Sequence, residues 1–246
     1  MSLKAVLFDF NGVIIKDASI QMKLIDEILV QENLQPLRRQ ERQTYLGRSD
    51  RTCWTELLKF RGRVVSEKYL AEIFQRKAQA YSLELEQLET IPIYPGVEDL
   101  IFQLRSVSPS HQIKLGIVSD VTSKEVELVL ERTKLASYFS VIVTADDLTT
   151  SKPAPDGYLL AVKRLNEQYP DLNLQPEECL AIEDTPTGIK AAKRANMQVL
   201  GVANTYPYHF IQRQANWAVD YLNELELERV EEIFAQKNVQ STASEC

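Results

Sequence analysis

The chain has 246 residues with 28 basic and 35 acidic side chains, a formal net charge of −7 at pH 7. Its Lys and Arg are scattered along helical stretches, which excludes a polyanion such as DNA as the main partner. An apolar share of 44% and a charged share of 26% exclude a disordered chain, and no apolar run is long enough to span a membrane.

The length fits a core domain with one insertion as well as two domains in tandem. An anionic small substrate stays open, because a metal and one lysine can reverse the local field. Cys53, Cys179 and Cys246 show no metal-ligand spacing and point to a reducing compartment. The opening residues lack the basic stretch and apolar region of a signal peptide, so a cytoplasmic protein is expected.

In chain order, Lys4–Ile15 reads KAVLFDFNGVII: a β-favouring apolar run, a carboxylate at Asp9, then Asn-Gly, which lets the backbone turn sharply. An unpaired carboxylate is costly to bury, so Asp9 is placed at the strand's exit, where ligands bind in open α/β sheets. From Asp17 to Glu89 only helical patterns follow. Ile20, Leu24, Ile28 and Leu29 share one face, and Tyr69, Ile73 and Phe74 another.

At Ile91 the sequence IPIYPGV supplies a hinge, with a helix over 97–107 after it. IKLGIVSD (113–120) repeats the opening design, and Thr122 with Glu125 has capping-box spacing for a helix running to about Leu135. SVIVTADDL gives a third strand, CLAIED a fourth and VLGVA a fifth, separated by helices. Strands alternating with helices predict an α/β fold with a doubly wound parallel sheet. The expected domains are a core of residues 1–16 and 90–236, an inserted α-helical cap of 17–89, and a disordered tail of 237–246.

Asp9, Ser119, Lys152 and the pair Glu183–Asp184 all stand at strand exits or just past them. With DFNGV, IVSD, SKPAPD and IEDTPTG in this order, the chain resembles the haloacid dehalogenase superfamily of phosphotransferases, in the branch with a helical cap. The resemblance implies a Rossmann-like core and a magnesium-dependent phosphatase acting on a small phosphorylated metabolite. It makes Asp9 the nucleophile that forms an aspartyl phosphate. Magnesium would take Asp9, the carbonyl of Asn11 and Asp184, with Glu183 close by. Ser119 would donate to the phosphoryl oxygens beside Asp120, a substrate-binding position, and Lys152 would neutralise charge shared by Asp9 and phosphate.

One departure stands out. The family's phosphatases and mutases carry a second aspartate two residues after the nucleophile, which protonates the leaving oxygen; here it is Asn11. Losing a positioned acid and base typically costs about 10²- to 10⁴-fold in rate. Three readings follow: a phosphatase limited to good leaving groups or using another acid, with Asp17 nearest in sequence; a binding or interaction protein that kept the pocket; or deamidation of Asn11-Gly12. Dehalogenases lack magnesium, against the Glu183–Asp184 pair, and phosphonate hydrolases need a cap lysine that neither Lys16 nor Lys59 matches.

Residues 45–51, YLGRSDR, resemble the cap's substrate loop, with Gly47, Arg48 and Arg51 as substrate-binding candidates. Leu46 and Asp50 stand where the family's sugar-phosphate mutases carry basic residues, which makes a mutase the lesser reading. His111 and His209 lack triad partners and are read as structural or surface groups. Trp54, Leu57, Leu58 and Phe60 are read as cap packing, and Tyr206–Phe210 as cover for the sheet's edge.

Overall fold

The computed structural model describes residues 2–45, 48–106 and 113–243, with side chains described as far as residue 236. Six strands form one sheet: β1 (Ala5–Phe8), β2 (Lys114–Val118), β3 (Val141–Val143), β4 (Cys179–Glu183), β5 (Gln198–Val202) and β6 (Trp217–Val219). Their order is β3-β2-β1-β4-β5-β6, and every neighbouring pair is parallel.

Period-two alternation sorts the strands onto two cores. Val6, Phe8, Leu180 and Ile182 face one cluster, closed by helices α5 (Val97–Ser106), α6 (Ser123–Thr133) and α10 (Leu227–Ala243). Ala5, Leu7, Cys179 and Ala181 face the other, closed by α7 (Asp156–Gln168) and α8 (Pro186–Arg194). The strands are apolar on both faces because helices cover both.

Between β1 and α5 lie α1 (Ala18–Gln31), α2 (Arg39–Tyr45), α3 (Asp50–Phe60) and α4 (Glu67–Glu86), the helical insert. It has a core of its own, built on Ile28, Leu29, Trp54, Leu57, Leu58 and Ile73. The two chain crossings run side by side: Lys16 N–H donates to the Pro92 carbonyl at 2.8 Å and Tyr94 N–H to Ile14 at 3.0 Å. A second tie is ionic. Lys77 of α4, 1% exposed, holds Asp50 of α3 at 2.7 Å and Glu125 of α6 at 3.2 Å. Glu125 also accepts the Thr122 N–H at 3.0 Å, completing the expected helix start.

Several expectations change. β6 was not foreseen, because three residues are too few to show a pattern and their pairing with β5 makes them a strand. Phe60 does not pack in the cap; it is 72% exposed as the last residue of α3, with the Arg61 guanidinium over its ring. Helix α10 continues to Ala243, into the expected tail. His209 lies on the short helix α9 (Tyr208–Ile211), which packs on β5 and β6. Gly47, Leu46, His111 and Cys246 lie outside the described residues. Among those described, no helix is long and apolar enough to cross a membrane.

Removing one member of a buried ion network leaves its partners as uncompensated charges. Lys77→Met should therefore lower unfolding stability in urea by about 3–5 kcal/mol. Lys163→Met, in an i,i+4 pair whose side chains are 70% and 62% exposed, should leave the midpoint unchanged.

Candidate active site

Asp9 follows the last residue of β1, and its N–H donates to the Ile182 carbonyl at 2.9 Å, so the exits of β1 and β4 lie side by side. Two glycines let the neighbouring segments close in. Gly12 has φ +84°, and a Cβ there would collide with the Asp184 carboxylate; a Cβ on Gly188 would collide with Glu183. The N-cap of α8 is Thr185, whose hydroxyl accepts the Gly188 N–H at 3.1 Å. Asp184, which could have capped this helix, is thereby released to face the site.

Lys152 is at the centre. Its Nζ donates to Asp9 Oδ1 at 2.8 Å and to the Val118 carbonyl at 3.0 Å, and pairs with Glu183 Oε1 at 2.7 Å. Burial alone would depress its pKa, but the Asp9 and Glu183 carboxylates outweigh that and hold the ammonium well above its ordinary value. Ser119, 1% exposed, also lines the cavity, and its Oγ accepts the Val121 N–H at 3.3 Å. Asp120 accepts the Lys152 N–H at 3.2 Å, and burial pushes its carboxyl up to about 6 against the pull of Lys152.

Oxygens of Asp9, Glu183 and Asp184 lie within 4.8 Å of one another. Burial, reinforced by the other two carboxylates, raises Asp184; burial and Asp9 raise Glu183. Asp184 Oδ1 and Glu183 Oε2 are buried without a hydrogen-bond partner. Orphaned, all-oxygen and anionic, this set fits a hard divalent cation such as magnesium.

A cavity of about 120 Å³ connects these groups to the cap. Asn11 Nδ2 donates to Asp17 Oδ2 at 2.8 Å, and Gln21 and Tyr81 donate to the same oxygen at 2.8 and 2.7 Å. Burial raises the Asp17 carboxyl despite these donors. Arg48 lines the cavity but is paired with Glu56. Arg51 does not line it: it pairs with Glu67 at 2.7 Å and borders an adjoining cavity of about 390 Å³. The two arginine candidates of the cap loop thus have different surroundings.

Four polar groups escaped the sequence reading. Tyr158 donates to Glu183 Oε1 at 2.6 Å, Thr205 donates to Asp184, and Asn204 Nδ2 holds the Gly12 carbonyl at 2.7 Å. Lys77, described above, is the fourth. Asn204 and Thr205 follow β5, so the strand-exit rule applied to VLGVANT would have found them. Tyr158 and Lys77 sit within α7 and α4, away from any strand exit.

A family model described as haloacid dehalogenase-like hydrolase matches residues 6–202, which span Asp9, Ser119, Lys152, Glu183 and Asp184. The chain belongs to this family. Among its relatives, the β-phosphoglucomutase of Bacillus subtilis is 29% identical over 244 residues, 98% of this chain and 99% of that protein. The phosphorylated carbohydrates phosphatase of Thermotoga maritima is 25% identical over 207 residues, covering 82% and 87%. The crystal structure of β-phosphoglucomutase from Clostridium difficile superposes with a TM-score of 0.79 at 25% identity, over 96% of this chain and 99% of that one.

A cation that binds only the folded protein stabilises it by mass action, about 2.7 kcal/mol at a hundred times its Kd. For a haloacid dehalogenase-like chain of this size, magnesium should raise Tm by roughly 5–10 °C. Asp184→Asn should remove most of that response in a thermal melt; an undiminished shift would place the ion elsewhere.

Proposed function

We propose that this protein is a magnesium-dependent phosphatase of a small phosphate ester. The observation that carries the reading is the Asp9 carboxylate, held by Lys152 at 2.8 Å beside two acids with orphaned oxygens. The Asp9 oxygen not held by Lys152 attacks phosphorus; the ester oxygen leaves with its electron pair, and water then cleaves the aspartyl phosphate. Lys152 and Ser119 face the charge that builds on the phosphoryl oxygens. Asp9, Glu183, Asp184 and the Asn11 carbonyl would hold magnesium, which supplies further neutralisation of phosphoryl charge when bound.

Asn11 neither gives nor retrieves a proton, so turnover should depend steeply on the leaving group. Its amide suits its surroundings: an aspartate at 11 would meet Asp17 at hydrogen-bond distance, and two carboxylates there do not both ionise. A second reading, a binding protein on the same scaffold, is favoured by Asn11 alone. The relatives named above, a mutase and a phosphatase of phosphorylated carbohydrates, agree with a phosphorylated ligand under either reading.

Steady-state hydrolysis with magnesium across aryl and alkyl phosphates tests this. The protein should turn over p-nitrophenyl phosphate, and Asp9→Asn should fall to background. Asn11→Asp should gain about 10²- to 10⁴-fold on alkyl esters and much less on the aryl ester. Activity surviving Asp9→Asn would overturn the nucleophile assignment; absence of turnover except in Asn11→Asp would favour the binding protein.

A further inference from the structure

The cavity that opens from the nucleophile holds more acid than the phosphate chemistry uses. Beside Asp9 and Asp184 it is lined by Asp17, Asp50 and Asp120. Asp17 is 2% exposed and is the N-cap of α1, yet its carboxylate caps no N–H of that helix. Asn11, Gln21 and Tyr81, all neutral, donate to its Oδ2, and among the described residues nothing donates to Oδ1. Asp120 accepts only the Lys152 backbone N–H among those residues. Asp50 meets Lys77 at 2.7 Å, but Lys77 is shared with Glu125.

Three carboxylates thus have one ammonium between them, and a fourth competes for it. The other basic groups at the cavity are committed: Arg48 to Glu56, and Lys152 to Asp9, Glu183 and the Val118 carbonyl, which take its three protons. The acids also press on one another. Burial pushes Asp120 up to about 6, with Asp9 and Asp50 adding to it against Lys152. Burial likewise raises Asp50, with Glu125 and Asp17 adding to it against Lys77. A hydroxyl would donate a hydrogen bond here without bringing charge, whereas buried carboxylates gain most from a donor that is also a cation. A second metal ion does not fit. Among the described residues only Asp9, Glu183 and Asp184 bring three acid oxygens within 4.8 Å of one another. The wider spacing of the other three suits a cation carried on a carbon chain.

Resting on the phosphatase reading for the position of the phosphate, we infer that the alcohol part of the ester carries a protonated amine, received by Asp17, Asp50 and Asp120. The substrate is then an aminoalkyl phosphate, whose positive end offsets both its own phosphate and the surplus acids. Asp17 and Asp50 stand at the starts of α1 and α3 in the insert, and Asp120 just past β2. The amine is therefore recognised across the boundary between insert and core.

The test compares two-carbon esters that differ at one group, with the full chain and magnesium: 2-aminoethyl, 2-hydroxyethyl and ethyl phosphate, and phosphoglycolate. Both kcat/KM and equilibrium binding by calorimetry are read, so a protein that binds without turnover still reports its preference. The 2-aminoethyl ester should lead the 2-hydroxyethyl ester by roughly 10- to 100-fold, the range of one hydrogen bond to a charged group, with phosphoglycolate last. Asp120→Asn, which keeps an oxygen for the Lys152 N–H, should cut that lead several-fold and change the 2-hydroxyethyl ester much less. A 2-hydroxyethyl ester that matches the amine, a lead for phosphoglycolate, an undiminished lead in Asp120→Asn, or no binding of any ester overturns the inference. Turnover without the amine preference overturns the inference and leaves the phosphatase reading standing; amine preference in binding with no turnover does the reverse.

Discussion

Lys152 faces three carboxylates, Asp9, Glu183 and Asp184, in a space almost closed to water. Each buried charge costs several kcal/mol unless it is paired, and one ammonium cannot neutralise three acids. The remainder is shared out locally: Tyr158 and Thr205 give hydroxyl hydrogens to Glu183 and Asp184, and the Val118 carbonyl takes a third Lys152 proton. The uncompensated negative charge is the physical reason the site suits a divalent cation. It also explains the local sequence. Gly12 and Gly188 are required because any side chain there would displace a carboxylate from this arrangement.

The sheet makes the arrangement possible. β1 and β4 are parallel neighbours in register, Phe8 opposite Ile182, so residues that are distant in the chain emerge together. The reversal of strand order at this point leaves a crevice beyond the strand ends. Lys152 enters from the loop ahead of α7 and Ser119 from the end of β2, each group reaching the crevice from a different strand exit.

The insert adds a second layer of pairing. Asn11, on the turn after Asp9, is tied to Asp17 at the start of α1, and Asp17 to Tyr81 on α4. Lys77 links α3 and α4 to α6, and Ser49 meets Ser151 at 3.1 Å across the same boundary. Core and insert therefore share a polar seam along the cavity, and Leu24, Tyr81 and Leu85 of the insert also join the core's apolar cluster, while the rest of the insert packs around a cluster of its own.

The strand-exit acids, the lysine loop, the helical insert and the Thr122 helix start were legible in the sequence because each rests on short-range patterning. A strand shows as an apolar run, a turn as Asn-Gly, a helix start as a hydroxyl three places before an acid. β6 was too short for such a pattern, and the exposure of Phe60 at the end of α3 depends on packing that spacing alone does not reveal. The partners of the charged groups were beyond reach for a different reason. Tyr158, Lys77 and Thr205 meet Glu183, Asp50 and Asp184 across separations of 25, 27 and 21 residues. The sequence by itself determined which residue types stand at the strand ends and hence the family's chemistry. Only the tertiary structure decided which of them are paired, and so which surfaces remain for a substrate, because pairing depends on distances that the folded sheet and insert create.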